Sequence, residues 1–131
     1  MMEWYDQYSV HIGHMDRQHR KILTILTRIY YLDTNDRRSL EQVFDGLKAY
    51  SRRHFTDEEG LMRFHGYPGF EEQKREHERF IDVICDYQKQ FAKGKMPVLI
   101  NMFNDIWDWF ARHILVLDKR YEPFLKERGC R

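Results

Sequence analysis

Disulfide chemistry has little material in this sequence, because Cys85 and Cys130 are its only cysteines. One falls on an apolar helical face and the other beside the C-terminal residue, so reduced thiols in a cytoplasmic protein are the expectation. No run of about 18 apolar residues occurs, so no membrane-spanning helix is expected. The opening residues, Met1-Met2-Glu3-Trp4-Tyr5-Asp6, lack the basic stretch and apolar run of a secretory leader, and none is expected. Charge of one sign is not in excess either. Lys and Arg number 22 against 21 Asp and Glu, mixed along the chain, which removes the electrostatic reason to expect a nucleic-acid or membrane partner.

The chain has 131 residues, enough for one domain with a real core but not for two, and residues 1–131 are read as a single domain. Aromatic residues make up 15 %, a high share that suits a small bundle packed with large rings. Four stretches carry helical periodicity. The first runs from Asp16, read as its cap, to Tyr31, with His19, Ile22, Leu23, Leu26, Ile29 and Tyr30 on one face. The second runs from Asp36 or Ser39 to Phe64, with a possible Ser39–Gln42 capping box and an inner stripe of Leu40, Phe44, Leu47, Ser51, His54, Glu58 and Leu61. Gly66-Tyr67-Pro68-Gly69 breaks the pattern, and Pro68 suits the first turn of a third helix. That helix reaches about Lys93, with Phe70, Gln73, His77, Phe80, Ile81, Ile84, Tyr87 and Phe91 inward and Gly94 as its stop. Pro97 opens the fourth, whose stripe is Leu99, Phe103, Ile106, Phe110, His113 and Leu117, and Pro123 is expected to end it near Asp118. The fold class is therefore all-α, an antiparallel up-down-up-down four-helix bundle with an aromatic N-terminal arm, and a monomer is the expected state.

These stripes contain residues that an apolar core does not want. His54 and Glu58 are four apart on the second helix, and Gln73 and His77 repeat that spacing on the third, so each pair projects into one volume. His19 and His113 point inward from the first and fourth helices. Asp118, five residues beyond His113, joins them only if the helix distorts or ends between the two. A lone inward histidine is more often a hydrogen-bonded core residue, but imidazoles and carboxylates from four stripes together are costly to bury unless they hold ions. Imidazole and carboxylate are the donors of a two-metal site, and by ligand type alone zinc, manganese and iron all qualify. His11, His14 and His65 are read as surface or loop residues.

The chain resembles the hemerythrins, most closely their single-domain bacterial members. The likeness rests on Trp4, Tyr8-Ser9-Val10, Met15-Asp16-Arg17-Gln18-His19, His54-Phe55-Thr56-Asp57-Glu58-Glu59, Tyr67-Pro68, Trp109-Phe110-Ala111-Arg112-His113-Ile114 and Asp118-Lys119-Arg120-Tyr121, in order along nearly the whole length. It implies a non-haem centre of two Fe ions, cycling between Fe2+ and Fe3+ with a bridging oxo or hydroxo, that binds dioxygen reversibly. His19 and His54 match the ligands of one iron, His77 and His113 two of the three on the other, and Glu58 and Asp118 the bridging carboxylates. Ile22, Leu61, Ile114 and Leu117 are candidate walls of a water-excluding pocket.

The sequence departs from the family at Gln73, where members carry histidine. Gln73 then ligates iron weakly through its oxygen, hydrogen-bonds to a water that fills the vacant position, or leaves that iron poorly bound. The resemblance favours an oxygen carrier, store or sensor over an enzyme. The alternative is a diiron oxidase or peroxidase, acting on peroxide, whose second iron is opened by Gln73. A metal-free helical interaction domain is a third reading, which fits the inward carboxylates badly.

Overall fold

A computed structural model of the protein describes residues 3–32, 36–93 and 99–131, the side chains of 99 and 100 excepted. Helices α1 (Gly13–Tyr31), α2 (Arg37–Phe64), α3 (Phe70–Ala92) and α4 (Leu99–Arg112) are followed by a π-helical turn (His113–Asp118) and α5 (Lys119–Glu127). The last three run on without a break, so the described residues form four helical rods and no strand. α1 packs on α2, α2 on α3, α3 on α4 and α4 on α1, which closes a four-helix bundle. No helix among the described residues is long and apolar enough to cross a membrane.

The expected stripes account for most of the core. Ile22, Leu26, Leu40, Phe44, Leu47, Phe80, Ile84, Phe91, Ile106 and Phe110 are all buried. Tyr30 is the exception in α1: it is about half exposed and lays its ring against Phe103 at 5.1 Å. Phe55 lies off the expected stripe of α2 yet is buried, because it packs between Phe80 and the ring of His77.

Several helix ends differ from the sequence expectation. α1 begins at Gly13, three residues before Asp16, and Asp16 works from inside the first turn. Its carboxylate accepts from the Val10 amide at 2.9 Å and the Ser9 hydroxyl at 2.5 Å, tying the preceding segment to the helix. α2 is capped by Asp36, whose side chain accepts from the Ser39 amide and hydroxyl, in place of a Ser39–Gln42 box. Pro68 lies in the turn ahead of α3, not in its first helical turn. Tyr67 donates its amide to Met62 O, and its ring lies 2.6 Å from where a Cβ at residue 69 would stand, so a larger residue in place of Gly69 would require that ring to shift. The expected stop at Gly94 and start at Pro97 fall outside the described residues.

Pro123 does not end the fourth rod. It lies inside α5, where the missing donor costs up to about 3 kcal/mol in a helix interior. Burial of Tyr121 and Leu125 offsets this, each side chain contributing about 1.5–3 kcal/mol, in a second apolar cluster with Val10, Ile12, Met15 and Met62.

Phe44 is fully buried and stacks obliquely on Phe91 at 6.0 Å. Phe44→Ala is expected to destabilise the protein by about 3–5 kcal/mol, measured as a lower urea midpoint with unchanged slope.

Candidate metal centre

One α-helical register cannot carry both His113 and Asp118 inward, since five residues overshoot a turn. The π-helical turn removes the difficulty. Its hydrogen bonds span i to i+5, as in Lys119 N–H to Ile114 O, so residues five apart align. His113 Nε2 then lies 3.1 Å from Asp118 Oδ1, with both side chains buried. On α2 and α3 ordinary α-helical spacing suffices, and His54, Glu58, Gln73 and His77 are all buried. His19 arrives from α1 with no exposed surface.

The seven side chains meet at one place, arranged as two histidine pairs on either side of two carboxylates. The His19 and His54 ring centroids are 4.6 Å apart, and those of His77 and His113 are 5.0 Å apart. Glu58 Oε2 faces the first pair, at 3.4 Å from His19 Nε2 and 3.5 Å from His54 Nε2, while Oε1 lies 3.0 Å from His77 Nε2. Asp118 divides the same way, with Oδ2 3.2 Å from His19 Nε2 and Oδ1 beside His113. Two compact donor triads result, His19–His54–Glu58 and Glu58–His77–His113, sharing Glu58.

These residues fit a pair of cations. The Nε2 atoms of all four histidines, Glu58 Oε1 and Asp118 Oδ2 are buried, and none has an aligned hydrogen bond among the described residues. Buried polar atoms are normally satisfied. His77 Nε2 lies 3.0 Å from Glu58 Oε1 and His19 Nε2 3.2 Å from Asp118 Oδ2 without an aligned bond, so a cation placed among these six atoms would satisfy several at once.

The surroundings orient the donors. His54 donates Nδ1–H to Gln18 Oε1 at 2.6 Å, and Gln18 donates to Asp57 at 2.7 Å. His77 donates Nδ1–H to Glu59 Oε2 at 2.8 Å. Each bond fixes the ring so that Nε2 faces the centre. Tyr121 donates its hydroxyl to Glu58 Oε2 at 2.7 Å, and Gln73 donates Nε2–H to Asp118 Oδ1 at 2.9 Å. His77 stacks on Phe55 at 3.9 Å, and His113 stacks on Trp109 at 4.7 Å. Gln18, Glu59 and Tyr121 stand in the motifs that carry the resemblance but were given no role from sequence. Their signal was adjacency, since Gln18 and Glu59 each neighbour a candidate ligand and Tyr121 lies one turn beyond Asp118.

Of the four expected pocket walls, Ile22 and Ile114 are fully buried, whereas Leu61 and Leu117 are half-buried. Phe110, three residues before His113 but not among the expected walls, lies edge-on to the His19 ring at 5.8 Å. His11 and His14 are exposed, and His65 is half-buried beside the Cys130 thiol, outside the cluster.

A search against protein-family models matches residues 10–125 to the hemerythrin HHE cation-binding domain. The chain belongs to the hemerythrin family. Among curated hemerythrins it is 31 % identical over 120 residues to a bacteriohemerythrin of Methylococcus capsulatus, covering 91 % of this chain and 92 % of the relative. A bacteriohemerythrin of Stenotrophomonas maltophilia is 30 % identical over 127 residues, covering 96 % and 82 %. A solved wild-type hemerythrin crystal structure superposes with a TM-score of 0.87 at 31 % identity, over 95 % of this chain and 98 % of that one.

The metal-free hemerythrin cluster holds protons where cations would go. Burial pulls His19 down, but Asp118 and Glu58 outweigh it and hold the ring up at about 9. Burial likewise opposes protonation of His77, and Glu58 with Glu59 raises it to about 9. Burial raises Asp118, and Glu58 beside it adds to this, yet His113 and His19 bring it down to about 2. The raised histidines stabilise the folded state below their ordinary 6.5, and this contribution disappears as pH climbs through 9. Asp118 stabilises above its ordinary 3.8, and that contribution is lost as pH falls through about 2. The Tm of metal-free protein is therefore expected to fall between pH 6.5 and 9. The increment in Tm from added divalent metal is expected to grow over the same range, because protons then compete less. Thermal scans of both forms across that range measure the falling metal-free Tm and the widening gap between the two.

Proposed function

We propose that the chain is a single hemerythrin-like domain spanning residues 1–131, folded as an antiparallel up-down-up-down bundle with an N-terminal arm. It binds dioxygen at a non-haem diiron centre as a cytoplasmic carrier, store or sensor. The observation that carries this reading is the pair of donor triads sharing Glu58. His19 and His54 would hold one ion and His77 and His113 the other, with Glu58 and Asp118 each presenting one oxygen to either side.

When bound, two ferrous ions supply the two electrons through which dioxygen is taken up reversibly. The chain supplies the rest. Gln18 and Glu59 hold His54 and His77 with Nε2 facing the centre. Tyr121 keeps its own proton and donates it in a hydrogen bond to Glu58 Oε2: its hydroxyl is held well above the ordinary 10 by burial and then by the charge of Glu58. The fully buried Ile22 and Ile114 and the ring of Phe110 exclude water, which protects the ferrous state from irreversible oxidation.

Anaerobic loading is expected to give two irons per chain by metal analysis. Admitting air is expected to produce a visible absorption band that disappears when oxygen is removed. Repeated failure to take up iron overturns this reading.

A further inference from the structure

Resting on the diiron reading above, we infer that Gln73 is not a metal ligand and that the ion held by His77 and His113 carries an exchangeable water, hydrogen-bonded to Gln73, which small anions displace. The donor count points to this first. Each ion faces two imidazoles, one Glu58 oxygen and one Asp118 oxygen: His19, His54, Oε2 and Oδ2 on one side, His77, His113, Oε1 and Oδ1 on the other. With the bridging oxygen this makes five donors on each side, one short of the six of an octahedral ion. The donor set of the chain is thus pseudo-symmetric, and on either side one position of such an ion would be left for a ligand that the protein does not supply.

The placement of Gln73 comes second. Its amide nitrogen is committed to Asp118 Oδ1 at 2.9 Å, the carboxylate oxygen that lies beside His113. Its Oε1 is buried and has no hydrogen-bond partner among the described residues. A neutral amide oxygen is a poor competitor for a cation beside imidazoles and carboxylates, but it is a good acceptor for the proton of a coordinated water.

Access comes third. A cleft of about 320 Å³ between α2 and α3 is lined by Phe55, Thr56, Glu59, Ile81 and His77. A second, of about 250 Å³, is lined by Glu76, Trp109, Arg112, Val116 and His113. Each of the two histidines that would hold this ion thus forms part of a cleft wall; Arg52, Glu78 and Asp82 complete the first cleft, and Arg112 is accompanied by Glu76 in the second.

The test is azide titration of ferric-loaded protein by calorimetry, after metal analysis has established two irons per chain. Wild type is expected to bind one more azide per chain than Gln73→His, in which a third imidazole fills the position. Gln73→Leu, which retains bulk but has no donor, is expected to match wild type in stoichiometry. If wild type binds the same number as Gln73→His while Gln73→Leu gains one, the Gln73 oxygen is a ligand and the proposal fails. Equal stoichiometry in all three proteins also overturns it. These failures leave the diiron reading standing when iron loading and the oxygen-dependent band persist. Absence of iron uptake defeats both.

Discussion

Two carboxylates at the centre of a helical bundle set the terms for the whole structure. Glu58 and Asp118 are buried, on rods that meet across the core, and an ionised carboxyl there is costly unless it has partners. Each divides its two oxygens between two histidine pairs, so removal of either carboxylate leaves imidazoles on both sides without their counter-charge. Hydrogen bonds from Tyr121 to Glu58 and from Gln73 to Asp118 hold these two groups in place from outside. Without metal, the cluster compensates by binding protons on His19 and His77.

That demand explains local features that are odd on their own. A π-helical turn widens the fourth rod where a regular helix would swing Asp118 away from His113. A proline is accepted in α5 because the residues around it, Tyr121 above all, are fixed by burial and by the bond to Glu58. Gln18 and Glu59 present polar side chains toward the core only because each holds an imidazole in one orientation.

The fold was legible in the sequence because amphipathic spacing is a local signal, and the inner stripes of α1 to α4 follow it closely. The candidate site was legible for a related reason: His54 with Glu58, and Gln73 with His77, obey the same four-residue rule as the apolar residues beside them. What escaped depends on contacts far apart in sequence or on departures from that rule. No spacing argument gives the π turn from His113 to Asp118. Asp36 caps α2 whereas Asp16 acts from within the first turn of α1, because capping depends on which backbone groups the preceding chain presents. Phe55 is buried off-stripe since its neighbour is a ligand ring, and Tyr30 is exposed since Phe103 covers only one face of it.

A crystal structure of iron-loaded protein with anomalous data at the iron edge tests the central claim most directly. The account predicts two iron peaks in the core, each between a histidine pair and joined by both Glu58 and Asp118. A single peak, or a metal-free core in which these carboxylates pair only with imidazolium, would contradict it.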